Sequence, residues 1–268
     1  MEWARAKNIL IAVLLAVNAF LYYTGASVAN QKTILPPDYL DNAVALLERE
    51  GVTIARTAVP SRRIHLPAVT LSMLEALYPL ARTALGDAHL QPELSAEGAH
   101  FHNAAGSFMV YQAPTASFSY RPAQPISDLS HFIALLQRVG LSSRTLSVSE
   151  EGDRATCLLH GVQLLDFGVR LSDGEVTGRL PLGALSEERY TDLLDPPNAL
   201  LRFARYAESH GWGEQQVEGI DIAYYATTGG AFGMLVLNPG YLVQANGGVW
   251  LVDAVQGGVY AEKLPDSP

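Results

Sequence analysis

The sequence is poor in cysteine and in basic residues. Its 268 residues contain one cysteine, Cys157, which excludes an intramolecular disulfide framework and a multi-cysteine zinc cluster. Lysine and arginine number 18 against 27 aspartates and glutamates, and the formal net charge of -9 repels a phosphate backbone. The composition therefore argues against nucleic acid as a partner, and Cys157 is predicted to be a small core residue.

The motifs of several enzyme classes are also missing. The chain has no GxxxxGK(S/T) phosphate loop, no GxSxG nucleophile elbow, no HExxH zinc pair and no EF-hand loop. Asp166, Asp173 and Asp221 are not fixed near one another by sequence, so none of them is assigned a catalytic role. We therefore predict a protein that is not an enzyme and has no catalytic residue and no cofactor.

One histidine pair could contribute to a metal site. His100 and His102 stand at i and i+2, so on a strand they share one face. No third ligand is evident in the sequence. We therefore predict no metal site and interpret both residues as surface or packing histidines.

The first thirty residues contain a long apolar run. Residues 9–29 carry no formal charge, and at about 1.5 Å per residue they span the roughly 30 Å hydrocarbon core of a bilayer. Trp3, Arg5 and Lys7 precede the run and are predicted to lie at the membrane interface, with the N-terminus cytoplasmic. This pattern predicts a single-pass anchor in the lipid bilayer, with the remainder extracytoplasmic. Cleavage after Ala29 as a signal peptide is the alternative.

Small and polar residues inside this run point to a helix–helix contact. Ala12 and Ala16 form a small-xxx-small pair, and Ala19 follows three residues later. Asn18 can donate a hydrogen bond to another membrane helix. We predict that these four residues contact a transmembrane partner; in the alternative interpretation, Asn18 is only tolerated and the alanines are filler.

Three amphipathic segments each end at a glycine thirteen residues after a predicted N-cap. They run from Asp38 to Gly51, from Ser127 to Gly140 and from Asn198 to Gly211. A further helix is predicted over 71–85. Each of these helices is expected to bury one apolar face.

Strand-like segments and short turns fill most of the remainder. Asp173-Gly174 and Asn246-Gly247 predict hairpins, residues 52–59 predict one strand, and Asn238-Pro239-Gly240 predicts a break between strands. Strands joined by such short turns run antiparallel, so the predicted class is α+β: an N-terminal transmembrane helix followed by two lobes of antiparallel sheet packed with helices. The predicted domains are 1–30, 31–122 and 123–268, because prolines concentrate near residue 122.

Short segments recur in a recognisable order along nearly the full length. They are Met1-Glu2-Trp3-Ala4-Arg5-Ala6-Lys7-Asn8-Ile9-Leu10-Ile11, Leu35-Pro36, Leu47 through Gly51-Val52, Val59-Pro60, Leu237-Asn238-Pro239-Gly240-Tyr241 and Gly248-Val249-Trp250-Leu251-Val252-Asp253-Ala254. In this order they resemble the YycI family, membrane-anchored regulators associated with an essential two-component system of low-GC Gram-positive bacteria.

The resemblance carries expectations about fold, partners and function. It implies an outer part similar in fold to part of YycH, the companion protein, and partnership with the WalK sensor histidine kinase, also called YycG. It further implies that the anchor helps to hold the kinase complex and lowers kinase activity, which affects control of cell-wall metabolism. The expected location is the cell membrane, and the expected role is signal transduction through protein–protein interaction.

A second hypothesis assigns the binding to the outer lobes. Glycine-rich turns flank Tyr241 and Trp250, so these aromatics could line a site for a small molecule, lipid or cell-wall fragment, with the anchor serving only as a tether. Both residues are interpreted first as sheet and core aromatics.

Overall fold

The structure is a computed structural model. It describes residues 11, 13–15, 17–18, 20, 34–72, 77–111, 117–139, 146–149, 152–181, 184–189, 191–228 and 234–261.

Beyond helical residues between 11 and 20, four helices lie in these ranges: α1 (Pro37–Arg49), α2 (Tyr78–Ala84), α3 (Ser130–Arg138) and α4 (Pro196–Ser209). The strands of the same ranges are β1 (Val52–Ile54), β2 (Ala68–Ser72), β3 (Glu93–Leu94), β4 (Gly98–Asn103), β5 (Gly106–Tyr111), β6 (Ser117–Pro122), β7 (Leu146–Val148), β8 (Arg154–Leu159), β9 (Val162–Ser172), β10 (Glu175–Arg179), β11 (Ala184–Arg189), β12 (Gln215–Thr228), β13 (Met234–Ala245), β14 (Gly248–Asp253) and β15 (Val259–Ala261).

All of these strands belong to one connected sheet. Its main path runs β11-β2-β13-β12-β9-β10-β6-β5-β4-β3, and these ten strands curl into a half-barrel. β14 and β15 extend from β13, and β7 and β8 extend from β9. Two pairings within the described ranges are parallel, β1 with β12 and β12 with β9, and the others are antiparallel.

The predicted α+β class with two lobes of antiparallel sheet is wrong. Strands account for 43% of residues against 26% for helices, so the protein is mainly β and built on one curled sheet. The reason is long-range pairing: β2 lies between β11 and β13, and β6 pairs with β10, so pairing crosses residue 122. The domain boundaries themselves remain predictions.

The predicted transmembrane helix is not found among the described residues. No helix in the described part of the chain combines the length and hydropathy needed to cross a bilayer. Most of residues 1–30, including the position after Ala29, lies outside the described residues.

Two hydrophobic cores form against the sheet, and each is covered by a helix pair. α2 and α3 pack over the first core, whose centre is aromatic and includes Phe101, Phe118 and Phe132. α1 and α4 pack over the second core, which includes Leu47 and Phe203. The predicted apolar faces of α1, α3 and α4 are therefore confirmed as core faces.

The predicted N-caps of these helices are wrong. Asp38 lies in the first turn of α1 rather than before it, and α3 begins at Ser130, three residues after Ser127. Asp195 caps α4, accepting the backbone N–H of Asn198 at 3.0 Å. Asp195 is followed by two prolines, and proline suits the first helical positions because those N–H groups have no partner within the helix.

Strand β13 runs straight through the predicted break at Asn238-Pro239-Gly240. The carbonyl of Pro239 accepts a hydrogen bond from the N–H of Ala254 at 3.2 Å. The nitrogen of Pro239 therefore faces the same side of β13 as that carbonyl. On that side the neighbouring strand changes, from β2 along residues 234–237 to β14 along residues 240–245. A proline is tolerated at this gap because no ladder hydrogen bond is lost there.

Local turn chemistry predicted the hairpins correctly. Asp173 and Gly174 have φ of 53° and 74° and join β9 to β10, while Asn246 and Gly247 have φ of 50° and 73° and join β13 to β14. Two consecutive positive φ angles favour these residue types in two-residue turns. Two other predictions from the local sequence were wrong. Residues 52–59 form β1 and a short 3-10 turn instead of one strand, and β2 includes the first two residues of the helix predicted over 71–85.

Candidate functional site

The predicted transmembrane contact segment is described only in part. Asn18 is helical and exposed. The other predicted contact and interface residues lie outside the described residues: Trp3, Arg5, Lys7, Ala12, Ala16 and Ala19.

Apolar side chains surround Asn18 and face outward. Six of them are 45% to 65% exposed: Ile11, Val13, Leu14, Leu15, Val17 and Phe20. Apolar side chains exposed together mark surfaces that contact protein or membrane. This segment is therefore one candidate for a binding function.

A second candidate lies at the far edge of the sheet, where Glu93 meets His100 and His102. Both histidines point to one face of β4, as predicted, and their ring centroids are 5.2 Å apart. β3 is the last strand on the main path and places Glu93 opposite His100. One potential ligand atom from each residue falls within 4.8 Å of the other two, and His102 Nε2 lies 3.7 Å from Glu93 Oε1.

The β3–β4 turn fixes this arrangement. The Ser95 hydroxyl accepts the N–H groups of Glu97 and Gly98 at 3.2 and 3.3 Å, and the Ser95 N–H donates to the Gly98 carbonyl at 2.8 Å. A Cβ at Gly98 would lie 2.0 Å from the carbonyl oxygen of Val110, so only glycine fits. The turn thereby sets the register that brings Glu93 beside the histidines.

A depression of about 420 Å³ opens beside this cluster. Glu93, Glu97, His100 and Tyr111 contribute its ionisable groups. The side chains of Glu93 and His102 are 73% and 53% exposed, so a solute can reach them without a change in fold. The Glu93 carboxylate and the two imidazoles form a donor set suited to a cation.

A third candidate is an aromatic surface group beyond the end of α4. Trp212 is 36% exposed, and its ring centroid lies 5.4 Å from Trp250 and 5.4 Å from Tyr206. His210 stacks on Tyr206 with centroids 4.0 Å apart. Such rings offer a flat apolar face to a ligand, although Trp250 also packs on buried Phe203.

Tyr241 is a core residue and not part of that surface. It is 1% exposed, and its hydroxyl donates to the Leu194 carbonyl at 2.8 Å. Burial, followed by the nearby Asp195 carboxylate, raises the pKa of Tyr241. The interpretation of Tyr241 as a core aromatic is confirmed.

A polar contact joins the two helices of the second core. The Tyr39 hydroxyl on α1 donates to Asp195 Oδ2 at 3.0 Å, and the Asn198 side-chain amide donates to the Tyr39 oxygen at 3.2 Å. Burial and the Asp195 charge raise the pKa of Tyr39. Asp195 is only 8% exposed and also caps α4, so this group is explained by structure rather than chemistry.

Cys157 and three aspartates, the possible catalytic residues considered in the sequence, show no catalytic arrangement. Cys157 is fully buried, as predicted, and burial raises its pKa to about 12, which keeps the thiol protonated near neutral pH. Asp166, Asp173 and Asp221 are exposed and lie on β9, in the β9–β10 turn and on β12.

Comparison with known proteins identifies no family. No protein-family model and no curated protein matches the chain. A crystal structure of an uncharacterized protein from Eubacterium rectale ATCC 33656 covers 83% of this chain and 99% of its own, with 9% sequence identity and a TM-score of 0.39. Similarity at this level carries no argument about fold or function.

Sequence reasoning missed Glu93 as a neighbour of the histidines. The usable signal was local: Gly98 marks a turn, and a hairpin centred between Glu93 and His100 pairs these residues directly. β3 contains two residues, so no alternating pattern pointed to a strand there.

Proposed function

We propose that the chain is a non-enzymatic, membrane-anchored regulator of a WalK-type sensor histidine kinase that acts with a YycH-like companion. The observation that carries the proposal is the outward-facing apolar segment around Asn18, within a 21-residue stretch free of formal charge. Exposed apolar surface of this kind is stabilised by lipid or by another apolar helix. The ordered resemblance to the YycI family supports a kinase as the partner.

The mechanism requires binding and no chemistry. A segment that packs better against one state of the kinase than the other shifts the equilibrium between them. A coupling of about 1 to 3 kcal/mol changes a binding equilibrium by about 5- to 150-fold. The N-terminus is then cytoplasmic and the sheet extracytoplasmic at the cell membrane, where the sheet offers a surface to the companion.

Membrane co-purification tests this proposal. The full chain is expressed with a WalK-type kinase, either in native form or with residues 9–29 replaced by an unrelated apolar sequence of equal length. We expect the native chain to retain the kinase and the replaced chain to lose it. Equal retention by both chains, or by neither, contradicts the proposal.

Point variants locate the contact. Ala12→Leu together with Ala16→Leu blocks close approach of a partner helix, and Asn18→Leu removes the interhelical hydrogen bond, which is worth about 1 kcal/mol. Leu14→Ile is the matched control because it keeps size and hydropathy. We expect kinase retention to fall in the Ala12→Leu/Ala16→Leu double variant and in Asn18→Leu, and to be unchanged in Leu14→Ile.

The aromatic surface group favours a second candidate function, a tethered module that binds a small molecule, lipid or cell-wall fragment. Trp212 of this group is 36% exposed, whereas the core residue Phe203 is 0% exposed. Muropeptides or lipid vesicles should then raise the melting temperature of the native chain but not of Trp212→Ala. The absence of any shift with the native chain contradicts this function.

A further inference from the structure

We infer that Glu93, His100 and His102 form a binding site for a divalent transition-metal ion, with Zn²⁺ as the ion that best matches the donors. Two imidazole nitrogens and one carboxylate oxygen are a ligand set that zinc uses in proteins. The inference is independent of the proposed regulatory function, because it rests on the β3–β4 edge of the sheet, whereas that function rests on residues 9–29.

The geometry needs only small movements of side chains. Tetrahedral zinc with ligand bonds of about 2.0 to 2.2 Å places its donor atoms about 3.4 Å apart. The three potential donor atoms already lie within 4.8 Å of one another, and His102 Nε2 lies 3.7 Å from Glu93 Oε1. All three side chains are at least partly exposed, so rotation about their own bonds can close the remaining gap.

The backbone holds the donors in place before any ion arrives. His100 and His102 share one face of β4 because they are two residues apart on a strand. The Ser95–Gly98 turn aligns Glu93 with His100 on the neighbouring strand. The ligands therefore come from two hydrogen-bonded strands, which limits the conformational entropy that metal binding must overcome.

Charge around the cluster favours a cation. Glu97 lines the same depression as Glu93 and His100, so a second carboxylate faces the space beside these two ligands. The chain as a whole carries a formal charge of -9. Three protein ligands leave a fourth position of tetrahedral zinc for water.

An ordinary surface ion pair is the competing explanation. His102 and Glu93 alone could form one, and exposed pairs contribute only about 0 to 1 kcal/mol. That explanation does not require His100 to matter, whereas a metal site requires all three residues. The two explanations therefore differ in a measurable way.

Equilibrium dialysis of the tag-free full chain against Zn²⁺, followed by elemental analysis, tests the inference. We expect one ion per chain, and at least an about tenfold loss of affinity in each of His100→Ala, His102→Ala and Glu93→Gln, since even partners outside the ligand shell are worth that much. His89→Ala is the matched control, because His89 is an exposed histidine nearby on the chain and outside the cluster. It should bind zinc as the native chain does.

Two results would overturn the site. One is no stoichiometric Zn²⁺ binding by the native chain. The other is equal binding by the native chain and the three ligand variants, which would place the ion elsewhere. Circular dichroism and melting curves measured without metal confirm that each variant is folded, so lost binding cannot be assigned to unfolding.

Discussion

Removing the carboxylate of Asp195 should destabilise the second core by an amount that the structure allows us to calculate. Asp195→Ala removes the N-cap of α4, worth about 1 kcal/mol. It also removes the acceptor of the Tyr39 hydroxyl on α1, and a hydrogen bond to a charged group is worth about 1.5 kcal/mol. The expected loss is about 2.5 kcal/mol, or about 5 to 10 °C in melting temperature for a chain of this size.

Thermal unfolding of the full chain in mild detergent measures this loss, and two further variants divide it. Tyr39→Phe removes the hydrogen bonds of Tyr39 to Asp195 and Asn198 but leaves the N-cap, so it should cost about 1.5 kcal/mol. Asp195→Asn keeps an oxygen for the Asn198 N–H, so it should be less harmful than Asp195→Ala.

The double variant supplies the decisive comparison. Asp195→Ala with Tyr39→Phe should cost about 1.5 kcal/mol less than the two single losses together, because both remove the same bond. Strict additivity, or a loss below about 0.5 kcal/mol for Asp195→Ala, would refute the role assigned to this contact.

Four other outcomes are expected. Gly178→Ala should cost about 1 to 3 kcal/mol in urea unfolding, because its Cβ would lie 2.2 Å from the Gly168 carbonyl oxygen, whereas Gly219→Ala, with its nearest atom at 3.9 Å, should be nearly neutral. Phe132→Ala should cost about 3 to 5 kcal/mol, since Phe132 is fully buried and stacks on Phe118 with centroids 5.5 Å apart; a smaller loss would mean that the first core collapses around the cavity. Hydrogen bonds from Ser119 and Arg121 lower the pKa of Glu175, so its contribution to stability is complete above the ordinary pKa of about 4.5 and is lost as pH falls through the lower folded pKa. Glu175→Gln should therefore reduce the loss of stability at acid pH, measured as the free energy of unfolding against pH. An unchanged pH dependence would contradict this prediction. Ellman's reagent should leave native Cys157 unmodified and should label one thiol after denaturation, because burial keeps that thiol protonated and covered.

Local chemistry made part of this fold predictable. Asp173-Gly174 specifies its hairpin because both residues adopt positive φ at little cost, and that preference depends on no distant residue. The amphipathic pattern between Asp38 and Gly51 likewise predicted that α1 buries one face, and that face contains Leu40 and Leu47. These elements can be predicted because the determining interactions lie within a few residues.

Pairing between distant strands was not predictable in the same way. The predicted helix over 71–85 includes the last two residues of β2, because a short apolar run has the same composition in a buried helix and in a strand paired on both sides. Pro239 was interpreted as a break because the change of neighbour from β2 to β14 is invisible in the sequence around it. Glu93 was overlooked for a similar reason, since its relation to His100 depends on a register.

The long central strands explain why one sheet exists where the prolines near residue 122 predicted a boundary between two lobes. β12 has fourteen residues, so it spans about 45 Å, long enough to pass through both cores. Tyr224 of this strand is buried in the first core and Val217 in the second, and β13 likewise contributes Leu237 to one and Val243 to the other. Each core has its own helix pair, but the pairs are α1 with α4 and α2 with α3, so neither core corresponds to a predicted lobe. β12 and β13 are hydrogen-bonded to each other and form a common floor for both cores, which is why the chain builds one sheet.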